Sequence, residues 1–197
     1  VLTSLFTITV LNSDTLLKMF MSPALFFPVL ATYIISICAL VCCGMHRSVP
    51  INYILLTVFT ICVSIMVAIS AARYDGQTVV EAAVLTASVV VALTVYAWTT
   101  KTDFTLCGPV IFVFGFVFCV ASMFSFMWGP TTNLMFACVG VILFSFYLIY
   151  DTQMIMGGQH KKYSFDPDDY ILAAVMLYLD IINLFLYILS ILGSSDN

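Results

Sequence analysis

An all-α integral membrane bundle is the fold this sequence predicts, and three observations predict it. Of 197 residues, 63% are hydrophobic and only 8% are charged, where a soluble domain carries about 25% charged residues. The apolar residues collect in runs of about 20, the length a helix needs to cross a bilayer. Between the runs lie short connections rich in Asn, Asp, Gly, Pro and Lys, residues that favour turns. No soluble fold of this length could hide so much apolar surface. The six Lys and Arg residues are scattered over the loops and make no basic patch, so the expected surroundings are a lipid bilayer and not nucleic acid.

The elements follow in order. Residues 1–11 read as the second half of a spanning helix whose start is missing. Six complete segments follow, at about 23–44, 50–72, 79–99, 106–128, 134–156 and 168–192. Pro23 and Pro50 stand near segment starts, where a missing amide costs little. The longest connection, Gly157 to Asp166, precedes the last segment. There Asp166-Pro167-Asp168-Asp169 makes a strong helix start, with a capping Asp, Pro at the first helical position and acids at the positive end of the dipole. No repeat or linker divides the chain, so one multi-spanning domain over 1–197 is expected.

Loop charges predict orientation. Arg47, Lys101, Lys161 and Lys162 fall on one side, Lys18 and Arg73 on the other, which puts the N-terminal side in the cytosol. Seven full spans would leave the C-terminus outside; a re-entrant last segment would return it. The seven cysteines (Cys38, Cys42, Cys43, Cys62, Cys107, Cys119, Cys138) lie almost wholly in apolar segments, an odd and scattered set that suits packing and makes no disulfide framework. The two histidines, His46 and His160, are far apart in sequence, and no His/Cys cluster has metal-ligand spacing.

Two aspartates stand out. Asp180 falls about 20 Å into the last helix at 1.5 Å per residue if that helix starts at Pro167, near mid-bilayer. Its face holds Ala173, Met176, Asn183, Leu184 and Tyr187, a polar stripe on an otherwise lipid-compatible cylinder. An intramembrane acid is a functional-site hypothesis by default; the alternative is a structural carboxyl, protonated or bonded to a hydroxyl. Asp151 shares a face with Gly140, Phe144, Tyr147 and Met154 but lies five residues before the segment end at Met156, so an interfacial residue fits it equally. Meeting Asp180 would require the two helices to stagger or bend. If they meet, they cannot both ionise easily in a low-dielectric site. Such a pair would sense protons when it shares one, and would offer hard oxygens to Ca²⁺ when both are ionised.

Other polar groups have two readings each. Arg47, with His46 beside it, closes segment 23–44 and either reaches Asp151 from a helix end or anchors the cytosolic side. Glu81 stands early in segment 79–99 as a mouth residue of a cation path or as an interfacial acid near a helix N-terminus. Asp168, with Asp166 and Asp169, caps the last helix and could also attract cations at a pore mouth.

The run Tyr150-Asp-Thr-Gln153, Gly157-Gly, His160-Lys, Tyr163-Ser, Asp169-Tyr170 and Leu177-Tyr-Leu-Asp-Ile-Ile-Asn-Leu-Phe185 resembles the Bax-inhibitor motif family of small multi-spanning proteins. The stretches Cys42-Cys43-Gly-Met-His-Arg47, Pro50-Ile-Asn52 and Thr100-Lys-Thr-Asp-Phe-Thr105 agree. They look most like the lifeguard, or glutamate-receptor-associated, branch, with the Golgi anti-apoptotic branch second. The resemblance implies a seven-helix fold with the last helix central. It also implies a pH-sensitive Ca²⁺ leak across an endoplasmic-reticulum, Golgi or related membrane, and suppression of apoptosis. It casts Asp151 and Asp180 as the pH-sensing pair at the pore and Arg47 as the residue that holds the pair in the closed state. Neither an enzyme nor a bound cofactor is expected; Ca²⁺ and H⁺ are the transported or regulatory ions.

Two other functions compete. In one, the chain suppresses death by binding apoptosis-regulating membrane proteins, and any leak is incidental. In the other, the aspartates are the dyad of an intramembrane protease. That class carries Gly-x-Gly-Asp at its second acid, where this chain has Leu177-Tyr-Leu-Asp180.

Overall fold

The computed structural model describes every residue except Val1, 125–128, 158–161 and 196–197. The described residues form eight α-helices: α1 (Leu2–Leu11), α2 (Asp14–Met21), α3 (Pro23–Val41), α4 (Ile51–Ala71), α5 (Gly76–Thr99), α6 (Gly108–Met123), α7 (Pro130–Met156) and α8 (Tyr170–Ser195). Single 3₁₀ turns precede α4, α6 and α8, at Met45–Arg47, Phe104–Cys107 and Pro167–Asp169, and no strand occurs among the described residues. Six of the helical stretches are long and apolar enough to cross a membrane. Helices are what lipid demands, because each satisfies its own backbone polar groups. The protein is an all-helical integral membrane protein.

The chain forms two compact units: residues 1–75 with 167–175, and residues 76–166 with 176–197. In the first, α4 is the best-buried helix, with Phe59, Cys62, Val63, Ile65, Val67, Ala68, Ile69 and Ala71 all out of contact with the surroundings. The Tyr33 ring of α3 stacks on Phe59 at 5.6 Å. Gly44, at φ 64°, turns the chain out of α3, a left-handed conformation that glycine adopts without a Cβ clash.

In the second unit α7 runs antiparallel to residues 176–195 of α8. Gly140 admits the Tyr187 ring so closely that a Cβ there would lie 2.7 Å from its Cγ. Phe144 stacks on the same ring at 5.7 Å. Phe118 of α6 lies flat on Phe136 at 4.0 Å and meets Tyr187 edge-on at 5.5 Å. The Tyr147 hydroxyl donates to the Ile111 carbonyl of α6 at 3.0 Å. At the other end of α7, Gln153 is completely buried. Its Nε2 donates to the carbonyls of Ala97 (3.3 Å) and Thr102 (3.0 Å), and its Oε1 accepts from the Phe104 amide at 2.8 Å. One side chain thereby satisfies the end of α5 and the connection into α6. Asp103 extends the clamp by accepting from Thr105 and from the Lys162 amide at 3.0 Å.

Most segments fall where the apolar runs put them, with differences at the ends. α5 begins at Gly76 and not at 79, and Gln77 donates to Glu81 along one face of its first turns at 2.9 Å. The last helix opens with a 3₁₀ turn, so regular α-helix starts at Tyr170. α2 was not anticipated. Its eight residues cannot span a bilayer, yet Leu16, Leu17 and Phe20 turn inward while Lys18 stays exposed, and Phe20 meets Phe6 of α1 at 6.2 Å. Among the cysteines only Cys62 is buried; the other six are exposed, so they serve on apolar outer surface where packing within the protein was expected. The end of the segment expected at 106–128 lies outside the described residues, as do His160 and Lys161.

Two outcomes follow from the second unit. Gly140→Leu forces the seam apart and lowers stability by about 1–3 kcal/mol, the usual cost of overpacking; a thermal melt in detergent micelles reads it, with Gly140→Ala losing less. Gln153→Ala orphans one buried amide and leaves two carbonyls without this donor, each lost partner costing roughly 1–3 kcal/mol. Amide hydrogen exchange over residues 98–106 should accelerate while that of α4 does not.

Candidate functional site

Asp151 and Asp180 come together in the second unit. Asp151 is presented by α7, four residues beyond Tyr147, and Asp180 by α8, seven residues before Tyr187; only 5% of either residue is exposed. The stagger that their sequence depths required is met by helix length, since α8 has ten residues before its aspartate (Tyr170–Leu179) and α7 five after its own (Thr152–Met156). The two carboxyl groups lie within hydrogen-bonding reach of each other. Among the described residues no donor reaches the fully buried Oδ2 of Asp180.

That geometry constrains protonation. An ionised carboxylate only accepts, so two carboxyls can bond to each other only through a proton held between them. The contact therefore requires at least one proton on the pair. Its oxygens number four at most, against the six to eight that Ca²⁺ prefers. Among the described residues no group of three or more His, Cys, Asp and Glu side chains could hold a metal ion.

Asn183, one turn beyond Asp180, spends its amide on its own helix, donating to the Leu179 carbonyl at 2.8 Å. Glu81 is exposed and accepts from Gln77 Nε2 at 2.9 Å. Asp168 is exposed as well.

Arg47 and His46 belong to a second cluster, in the first unit. The sequence leaves Arg47 two readings, a reach to Asp151 or an anchor on the cytosolic side; in the structure it grips the carboxylate of Asp169, at the start of the last helix. Arg47 Nε donates to Asp169 Oδ1 at 2.7 Å and Nη2 to Oδ2 at 3.0 Å, a two-pronged arrangement that fits guanidinium to carboxylate. His46 Nε2 stands 3.0 Å from the same Oδ1, and its Nδ1 lies 2.7 Å from the Leu40 carbonyl. Asn52 is fully buried and donates to the His46 carbonyl at 3.0 Å and to the Tyr170 hydroxyl at 3.2 Å. Tyr170 in turn donates to the Tyr53 hydroxyl at 3.2 Å. Asp169 had been read as a cap, and Asn52 and Tyr170 only as parts of sequence motifs. The signal that could have found Asp169 was its place as the acid immediately before the regular helix, two residues after Pro167.

The whole chain, residues 1–197, matches the family profile described as inhibitor of apoptosis-promoting Bax1. Over 181 residues it is 32% identical to "Protein lifeguard 3" of Mus musculus, covering 88% of this chain and 57% of that protein. It is 39% identical to "Protein LIFEGUARD 4" of Arabidopsis thaliana over 181 residues, covering 88% of this chain and 69% of the relative. It is 37% identical to "Protein LIFEGUARD 2" of the same plant over 182 residues, covering 88% and 72%. The chain thus spans little more than half the length of the mouse relative. With the profile matched from end to end, and lifeguard proteins among the relatives it resembles, the chain belongs to the Bax-inhibitor family.

Proposed function

We propose that this protein is a pH-sensitive calcium leak of an endoplasmic-reticulum, Golgi or related membrane, that Asp151 and Asp180 form its proton-sensing pair, and that the leak serves the suppression of apoptosis named by its family. The observation that carries the proposal is the contact between two buried carboxyls that share a face of the α7–α8 seam and have one oxygen left without a protein donor. With one proton between them, the carboxyls hold the two helices together by a hydrogen bond. Without it, two carboxylates in contact repel strongly at low dielectric, and a divalent cation relieves that repulsion. Protons and Ca²⁺ therefore compete for the same oxygens. The two-oxygen grip of Arg47 on Asp169 supports a latch on the helix that carries Asp180, through its first turn.

Ca²⁺ flux into proteoliposomes tests the reading. Competition fixes the sign: as pH falls, the pair takes up protons and the Ca²⁺ concentration for half-maximal flux rises. Asp180→Asn replaces the shared proton with a permanent amide donor. It should lower flux about tenfold, the effect of roughly 1.4 kcal/mol, and flatten its pH dependence. Unchanged flux and pH dependence in Asp180→Asn and Asp151→Asn would remove the pair from the mechanism. Protection of cells from apoptosis by a variant with no flux would favour the alternative, action through membrane-protein partners.

A further inference from the structure

The His46 ring faces an acceptor on each side. Nδ1 lies 2.7 Å from the Leu40 carbonyl, and Nε2 lies 3.0 Å from Asp169 Oδ1. A carbonyl only accepts. Asp169 takes two bonds from Arg47, which marks it as an ionised carboxylate that also only accepts. A neutral imidazole carries one N–H and cannot serve both contacts; an imidazolium carries two. We infer that His46 is doubly protonated here and that it is a pH-operated clasp, joining the α3–α4 turn to the start of α8 while charged and releasing it when neutral.

Loss of either ring proton sets a nitrogen lone pair against an oxygen lone pair at hydrogen-bond distance. Both sites are largely closed to water, which would otherwise bridge the mismatch: 11% of the His46 side chain is exposed and 12% of that of Asp169. Among the described residues, the charged and titratable groups around the ring are Arg47 in its own turn, Asp169 with exposed Asp168 beside it, and the phenols of Tyr53 on α4 and Tyr170 on α8. From α3 the ring meets the Leu40 carbonyl. Arg47, half exposed at 54%, keeps its charge throughout and leaves a weaker tether when His46 is neutral. The sign follows: the clasp is closed on the acid side of the range in which histidine titrates, about pH 5 to 8, and opens as pH rises through it.

The test uses the full chain in lipid nanodiscs, in a His160→Gln background that leaves His46 as the sole histidine. Nitrogen-15 NMR of the labelled ring should show both nitrogens protonated near pH 6, within the histidine range, and one of them bare at alkaline pH. Hydrogen exchange over residues 167–173, corrected for intrinsic rate, should lose about tenfold protection over the same change, as expected for one charge-assisted hydrogen bond. His46→Gln should abolish that pH dependence. A ring nitrogen bare near pH 6, or protection whose pH dependence survives His46→Gln, overturns the clasp. The ring spectra need no substitution at His46, so a poorly folding His46→Gln leaves the question decidable. None of these readouts measures ion flux, so they stand or fall separately from the aspartate pair.

Discussion

Along the seam between α7 and the 176–195 stretch of α8, the backbone of one helix approaches the side chains of the other without an intervening Cβ. Gly140 makes this possible: its missing side chain is the space that the Tyr187 ring fills. Within a bilayer two apolar helices gain little from leaving lipid for each other, so small residues and close approach drive association. Once Tyr187 is seated against Gly140 and Phe144, the antiparallel register is set, and Asp180 arrives opposite Asp151 two turns away. The contact of the two acids is thus a product of packing elsewhere. The carboxyls themselves would oppose it if both were ionised.

How much of this was legible in the sequence depended on the kind of force involved. Apolar length marked the spanning helices because lipid imposes it. Pro and Asp marked the start of the last helix because capping is local. α2 was not legible: its eight residues make sense only as a half-buried strip beside α1, and nothing local announces such packing. Asp180 stood out by depth, whereas Asp151 needed a partner that spacing could not supply. Gln153 and Asp169 were hidden for the same reason. Each is an ordinary polar residue near a helix end, and each has its role through atoms that lie far off in sequence, 122 residues in the case of Arg47 and Asp169.

The two polar clusters differ in chemistry. Among the described residues the aspartate pair has no cationic partner, whereas in the second cluster the Arg47 guanidinium and the His46 ring both face the carboxylate of Asp169. The first must be neutralised by something, as any acidic site in low dielectric must. The second suits attachment, because a bidentate guanidinium–carboxylate bond fixes direction as well as distance. α8 carries a member of each, Asp180 within the helix and Asp169 in the turn that leads into it.

The three bonds of Gln153 give α7 a mechanical asymmetry. They pin the helix two residues from Asp151, about 3 Å along the axis, whereas Phe136 lies about 25 Å from the same point. A tilt about that pinned end would multiply any displacement of the acid roughly eightfold at the aromatic stack, and the flat Phe118–Phe136 pair would have to separate before the carboxyls had moved appreciably. Swinging α7 is therefore an inefficient way to part the acids. Rotation of α7 about its own axis, or sliding of α8 past it, changes the carboxyl spacing without that leverage.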